Sequence, residues 1–456
     1  MKGLKTITIA ASVLAALTLA GCAGKTDKSA VESPVTNVIH PDWTADAVIY
    51  EVNVRQYTKE GTFKAFDAHL PRLKELGVDI LWFMPVYPIG EVERKGELGS
   101  YYSIRDYKAI NPEFGTIEDF KTTVDKAHEL GFKVILDWVA NHTSRDHEWI
   151  EQHPDWYVMD DSTGTPVAPF DWTDVAELNY DNPDMRAAML DAMTYWVSEV
   201  GVDGFRCDVA HEVPVDFWNA TVKSLRQIRP DLFMLAESEE PALMTDAFDA
   251  YYGWSNHAFM NKLAQGKATA AEYATYVVEH EGKLPVESIE MNFTSNHDEN
   301  SWNGTEFERM GDAARQFAVL TFVEPGMPLI YSGQEMGNEN SLEFFMRDPI
   351  VWEDPQGYTQ FYKELIAMRD VHPSMYAPRA GAPMKLVANN LPEKVFSFER
   401  RLADGSDGFT AIFNFSAEEV GVGITEGRLS GQVYRLPAHG YKIVFDSEIK
   451  TDDNEE

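Results

Sequence analysis

From about residue 41 onward, two patterns of apolar positions alternate along the chain. The first is a short continuous apolar run of strand length: AVIYEVNV, DILWFMPV, KVILDWVA, DGFRCDVA, LFMLAES, SIEMNFTS and MPLIYSG. The second is a longer stretch with apolar residues three and four apart, as in FDAHLPRLKEL, IEDFKTTVDKAHEL, DMRAAMLDAMTYWVSEV, VDFWNATVKSLRQI and RQFAVLTFV. Gly77, Gly131 and Gly201 stand where helices should end just before a strand. Continuous runs mark strands buried on both faces, so this alternation predicts a parallel sheet covered by helices. Seven strands are clear. A weaker eighth, FDAYYG, would close a (β/α)8 TIM barrel. The competing arrangement is a doubly wound open sheet, but no glycine-rich phosphate loop accompanies it.

Three departures from this rhythm define the domains. Residues 142–180, rich in Trp, Asp and Pro and without a helical period, read as a short inserted loop region at the rim after the third strand. After 372 the runs shorten and alternate (MKLVAN, VFSFERRL, FTAIFNF, GQVYRL, GYKIVF). This predicts a C-terminal antiparallel β-sandwich over 373–449, followed by an acidic tail at 450–456. The barrel then spans 41–372. At the other end, Lys2 and Lys5 precede an apolar stretch too short to span a membrane, which marks 1–21 as a signal peptide. Its end, LAGC, resembles the bacterial lipoprotein box, which implies cleavage before Cys22 and lipidation of that sulfur. Residues 22–40 would be a tether. Ala23 rather than Asp follows the cysteine, so the expected location is the cell envelope, lipid-anchored in the outer membrane.

Charge narrows the partners. The formal net charge is −35, and a leader carrying two lysines and no acid only adds to its mature magnitude. Nucleic acid is excluded as a partner, because binding it needs basic patches. Anionic polysaccharides are disfavoured, whereas a neutral glycan meets no such barrier. With Cys22 lipidated, Cys207 stands alone. It neighbours Asp208 on a strand, so it should point away from any site and serve packing.

Three carboxylates stand close behind apolar runs: Asp208 in GFRCD, Glu237 in FMLAE and Asp298 in FTSNHD. Unpaired buried carboxylates are costly, so acids in such places are expected to face a pocket. In a parallel barrel they collect at the C-terminal ends of the strands. Two of them could supply the nucleophile and acid of glycosidic cleavage, with a third to bind or stabilise. Arg206, two residues before Asp208, shares its face.

In order along the chain, DWVANH, GFRCDVAHE, LAES and FTSNHD resemble the conserved regions of the alpha-amylase family of glycoside hydrolases. GVDILWFMPV, LGSYYSIRDYKAINPEFGT, VAELN and GMPLIYSGQE support the match, which spans roughly residues 43 to 372. The resemblance implies Asp208 as nucleophile, Glu237 as general acid and base, and Asp298 as the group holding sugar hydroxyls. It implies Arg206 beside the nucleophile, His142 and His297 bonding the sugar at the cleavage point, and Tyr102 stacking beneath it. Asp137 would be a structural hydrogen-bonding residue at the barrel mouth. Arg347 and Asp348, after the last strand, would line outer subsites.

Departures from the family pattern set the finer expectation. Where many alpha-amylases carry Lys-His after the nucleophile, this chain has His211 and Glu212. DVAHE looks closer to the DVANE of neopullulanases and cyclomaltodextrinases. A structural calcium would rest on the side-chain oxygen of Asn141 with Asp174. No cofactor is required for the chemistry. The expectation is a retaining, endo-acting hydrolase of α-1,4 bonds in starch, glycogen or maltooligosaccharides. A neopullulanase, cyclomaltodextrinase or transglycosylating activity is the neighbouring alternative. A non-catalytic glucan-binding lipoprotein is the reading of a different class.

Overall fold

The computed structural model describes residues 35–449. The leader, Cys22, the tether up to residue 34 and the acidic tail lie outside the described residues. Eight parallel strands close a barrel: β1 (Ile49–Val52), β2 (Ile80–Phe83), β3 (Lys133–Trp138), β4 (Gly204–Cys207), β5 (Phe233–Ala236), β6 (Ala250–Tyr252), β7 (Ile289–Asn292) and β8 (Met327–Tyr331). Each strand pairs with the next, and β1 closes the ring by pairing with both β2 and β8, Ile49 lying opposite Ile80 and Leu329. The weak run FDAYYG is the sixth strand.

Helices α1 (Leu70–Leu76), α2 (Ile117–Glu129), α3 (Pro183–Tyr195), α4 (Val215–Ile228), α5 (Trp254–Ala264), α6 (Ala270–Glu281), α7 (Ala314–Val323) and α8 (Tyr358–Val371) cover the barrel. Their sequences explain their limits. In α2, the Thr116 hydroxyl and the Asp119 carboxylate cap each other's backbone N–H groups. In α4, Phe217, Trp218, Thr221, Val222 and Leu225 form the buried stripe at helical spacing. Gly77, Gly131 and Gly201 all adopt positive φ at the helix ends, as their positions predicted. One connection is irregular: between β5 and β6 only a single turn, Leu243–Asp246, replaces a full helix, while α5 and α6 both follow β6.

Side chains alternate between two cores. Ile49, Ile80, Ile135, Phe233, Leu235, Met291 and Leu329 fill the barrel interior. Tyr50, Leu81, Leu136, Cys207 and Met234 face the helices. Cys207 is therefore a buried packing residue. Residues 35–40, expected to be tether, instead pack on the fold. Val35 pairs with Val286, the Asn37 N–H donates to the Thr245 carbonyl, and His40 bonds Asp249 at 2.9 Å and the Glu287 carbonyl oxygen at 3.0 Å. Trp43 then lies 5.6 Å from Phe233, with the Lys133 ammonium 5.2 Å from its ring, under the N-terminal ends of the strands.

The C-terminal domain has β9 (Met384–Leu386), β10 (Val395–Arg401), β11 (Gly408–Asn414), β12 (Val420–Gly423), β13 (Val433–Leu436) and β14 (Tyr441–Phe445). A four-stranded antiparallel sheet, β9-β10-β11-β14, turns Phe396, Phe398 and Phe413 toward the barrel's helices. Its other face meets the β12–β13 pair over Val395, Ile412, Val422 and Leu436. Buried Arg400 joins the domains by donating to the carbonyls of Val323, Glu324 and Tyr376. Among the described residues, no helix is long and apolar enough to cross a membrane.

Candidate active site

The inward parity of the barrel strands carries the site. On β1, Ile49 faces inward and so does Glu51; on β3, Ile135 is followed by Asp137; on β5, Leu235 is followed by Glu237. On β4 the inward series is Gly204, Arg206, Asp208. A Cβ on Gly204 would lie 1.9 Å from the Phe233 carbonyl oxygen, so only glycine lets β4 approach β5 this closely. His297 and Asp298 follow β7, with Asp298 at the head of a single π-helical turn, Glu299–Asn303. The apolar residues of one parity thus form the barrel core, and the polar residues of the same parity gather one layer higher, at the mouth.

Arg206 is fully buried and organises this layer. Its Nη1 donates to Asp137 Oδ1 and Asp208 Oδ1, each at 2.9 Å, and its Nε donates to the Tyr252 hydroxyl. Its Nη2 lies 2.9 Å from Glu237 Oε2 but without hydrogen-bond alignment. Asp208 therefore gains more from the cation than Glu237 does. The guanidinium lies 5.1 and 5.2 Å from the centres of Trp82 and Tyr252. Asp137 also accepts from Trp82 Nε1 and from the Tyr102 hydroxyl. It belongs to the network beneath the cleft and does not line it.

Five carboxyl groups (Glu51, Asp137, Asp208, Glu237 and Asp298) share this region with Arg206 and His297. Burial lifts all five above their ordinary values, Asp137 to about 7. For Asp208, Arg206 opposes the lift; for Glu237, the charge of Asp208 adds to it. Burial disfavours the charge of His297, but Asp298 and Glu51 outweigh it and hold the ring up at about 9. Its Nδ1 bonds Glu51 Oε1 at 2.6 Å, and its Nε2 lies 2.7 Å from the Tyr102 hydroxyl and 3.3 Å from Asp298 Oδ2. Five acids against two cations titrate as one coupled cluster in which each ionised carboxyl raises its neighbours.

Val209, next after Asp208, has φ +36°, ψ 49°, a conformation costing about 1–3 kcal/mol in a β-branched residue. The turn aims its N–H at Glu237 Oε2, 2.8 Å away. The strain fixes Asp208 and Glu237 relative to each other.

Asp208, Glu237 and Asp298 open into a cleft of about 400 Å³ together with Tyr102, His142 and His297. Arg347 and Asp348 are not brought there. Arg347 donates to the carbonyls of Lys59 and Glu60, and Asp348 accepts from the Glu343 N–H. They fasten the loop after β8 instead of lining the cleft. Asn141 and Asp174, named for a structural calcium, are each engaged by a protein group. Asp174 Oδ1 is 2.9 Å from the Lys95 ammonium, and the Asn141 amide faces His142 Nδ1 at 3.3 Å. A dication at Asp174 would have to displace the Lys95 ammonium. Chelation is accordingly expected to leave the melting temperature and activity unchanged. A fall in melting temperature with EDTA, reversed by calcium, would contradict this.

Glu51, buried beneath the cleft, was not singled out from the sequence although it has the same signature as the other acids, a lone charge in an apolar run. Lys95, Trp302, Phe344 and Phe345 come from loops without periodicity and carry no such signal. Of Trp82, Trp138 and Trp172, only Trp172 reaches the cleft; its ring lies 5.4 Å from His142.

The model for the alpha amylase catalytic domain matches residues 37–177 and 168–375. An alpha-amylase from Haloarcula japonica is 29% identical over 402 residues, 85% of this chain and 58% of that protein. Neopullulanase 2 of Thermoactinomyces vulgaris is 28% identical over 386 residues, 72% of this chain and 63% of that protein. The chain thus spans about three-fifths of the length of these two relatives. Among solved structures, an alpha-amylase from Lactobacillus plantarum superposes with a TM-score of 0.78 at 31% identity, covering 88% of this chain and 98% of that one.

Proposed function

Because the chain belongs to the alpha-amylase family, we propose that it is a retaining glycoside hydrolase of α-1,4-glucosidic bonds in starch, glycogen fragments or maltooligosaccharides. The observation that carries the reading is the single guanidinium of Arg206 holding Asp208 and Glu237 at 2.9 Å each. Carboxyl groups side by side on one cation lack the roughly 6.5–9.5 Å that an inverting enzyme needs for its water, and suit the about 5 Å of a retaining pair. Asp208, hydrogen-bonded to the cation, attacks the anomeric carbon. Glu237, raised by burial and by the neighbouring charge, protonates the departing oxygen and later takes a proton from water. Asp298 and the positive His297 hold sugar hydroxyls, and Tyr102 supplies an apolar face.

Endo-acting alpha-amylase activity is the first reading. The cyclomaltodextrinase and neopullulanase type is the second, favoured by DVAHE and by the neopullulanase among the relatives. The LAGC motif supports placement on a lipid anchor at Cys22 in the envelope. A time course on soluble starch, maltoheptaose and β-cyclodextrin, with protein lacking residues 1–22, separates the readings. The first predicts an early spread of mixed oligomers from starch. Dominant maltose with preference for the cyclic substrate would replace it by the second. Inactivity on all three would sink the α-glucan proposal.

A further inference from the structure

The cleft wall beyond Asp298 carries an aromatic surface that the catalytic network leaves unused. Trp302 lies in the turn Glu299–Asn303 and is 56% exposed although it lines the cleft. Its ring is 5.2 Å from Phe344 and 5.8 Å from Phe345. Phe344 lies nearly parallel to Tyr102, 10° and 6.3 Å away, and Tyr102 stacks on His297 at 5.3 Å. A row of flat faces therefore runs from His297, beside Asp298, through Tyr102 and Phe344 to Trp302 at the solvent edge.

The row is held from behind. The Leu98 N–H donates to the Phe345 carbonyl, and Gly96 (φ +63°) passes so near that a Cβ would lie 2.4 Å from Phe345 Cβ. Only glycine allows the loop after β2 to brace the loop after β8 at this point. The opposite rim is built differently. It comes mainly from the insert after β3, diametrically across the ring from β7, and presents Trp172 and Asp174, the latter paired with Lys95 of the loop after β2. A large apolar ring kept half in water, braced from behind and standing within the cleft, is suited to a ligand with an apolar face. Trp302 carries no charge, so it supplies neither the nucleophile nor the acid of the bond-breaking step. The ligand face that fits it is the C–H face of a pyranose.

We infer that Trp302, backed by Phe344, forms an outer glucan subsite that binds a glucose unit away from the scissile bond and favours longer oligosaccharides. The inference rests on the α-glucan reading above. The test compares wild type, Trp302→Ala and Trp302→Phe on maltooligosaccharides from three to seven units, with melting temperatures measured alongside. The ratio of kcat/KM for maltoheptaose to that for maltotriose is expected to fall about tenfold in Trp302→Ala, as loss of one stacked ring implies. Trp302→Phe should keep most of the ratio, and both variants should melt as wild type does. An unchanged ratio in Trp302→Ala, including a uniform loss across the series, overturns the subsite. A wild type that cleaves no member of the series overturns the α-glucan reading and the subsite with it, an outcome distinct from an active wild type matched by its variant.

Discussion

Asp208→Asn is expected to lower kcat by roughly 10⁴-fold or more, the scale seen when a nucleophile is removed from a constellation that acts as a unit. The fold should survive, with a melting temperature equal to wild type or higher. Asp208 is buried among Glu237, Asp298 and Asp137, and its charge is disfavoured by burial. A neutral amide of the same shape removes repulsion from a crowded acidic layer while still accepting the Arg206 hydrogen bond. Activity and stability should therefore move in opposite directions, as at sites where function is held against stability. Reducing-end release and thermal melts on the same preparations check both. More than a tenth of wild-type activity in the variant would remove Asp208 from the nucleophile's role, and equal slow release by both proteins would revive a binding protein on this fold.

Arg206→Lys should be nearly as damaging. Lysine cannot reproduce a fork that serves Asp137 and Asp208 through Nη1, Tyr252 through Nε and Glu237 through Nη2. The compact ammonium can satisfy part of this set only. Leaving a buried carboxylate without its partner costs about 3–5 kcal/mol, and the groups answer by taking up protons. The sign follows from the native balance: Arg206 opposes the upward push of burial on Asp208, so weakening it lifts that carboxyl further. The acidic limb of kcat/KM should move to higher pH, and activity near neutrality should fall by roughly 10²- to 10³-fold. A merely structural arginine would lower the melting temperature without moving the limb. An unmoved limb with near-normal activity would refute the electrostatic role.

Most of this arrangement was legible because strand parity is strict. Runs such as KVILDW and GFRCD place core and site residues on one face, two apart, so Asp137, Arg206 and Asp208 could be assigned together. FDAYYG was weak because only three of its residues form the strand, yet barrel closure required it. β12 went unnoticed because VGVG offers glycine where strands favour larger residues. Loops obey no such period. The position of Arg347 and Asp348 after the last strand suggests outer subsites, but Arg347 is tied to the loop after β1 through the Lys59 and Glu60 carbonyls and Asp348 to the Glu343 N–H. Trp302 and Lys95 reach the cleft through tertiary folding that no local pattern announces.

The entry of the chain beneath the barrel has a mechanical consequence. Residues 35–43 meet Thr245, Asp249, Glu287 and Phe233, at or just ahead of the N-terminal ends of strands, whereas Asp208, Glu237 and Asp298 lie past the other ends. The described chain thus begins at the closed end of the barrel, opposite the mouth. Changes at Asn37, His40 or Trp43 therefore act on the barrel floor, a strand's length away from the carboxylates.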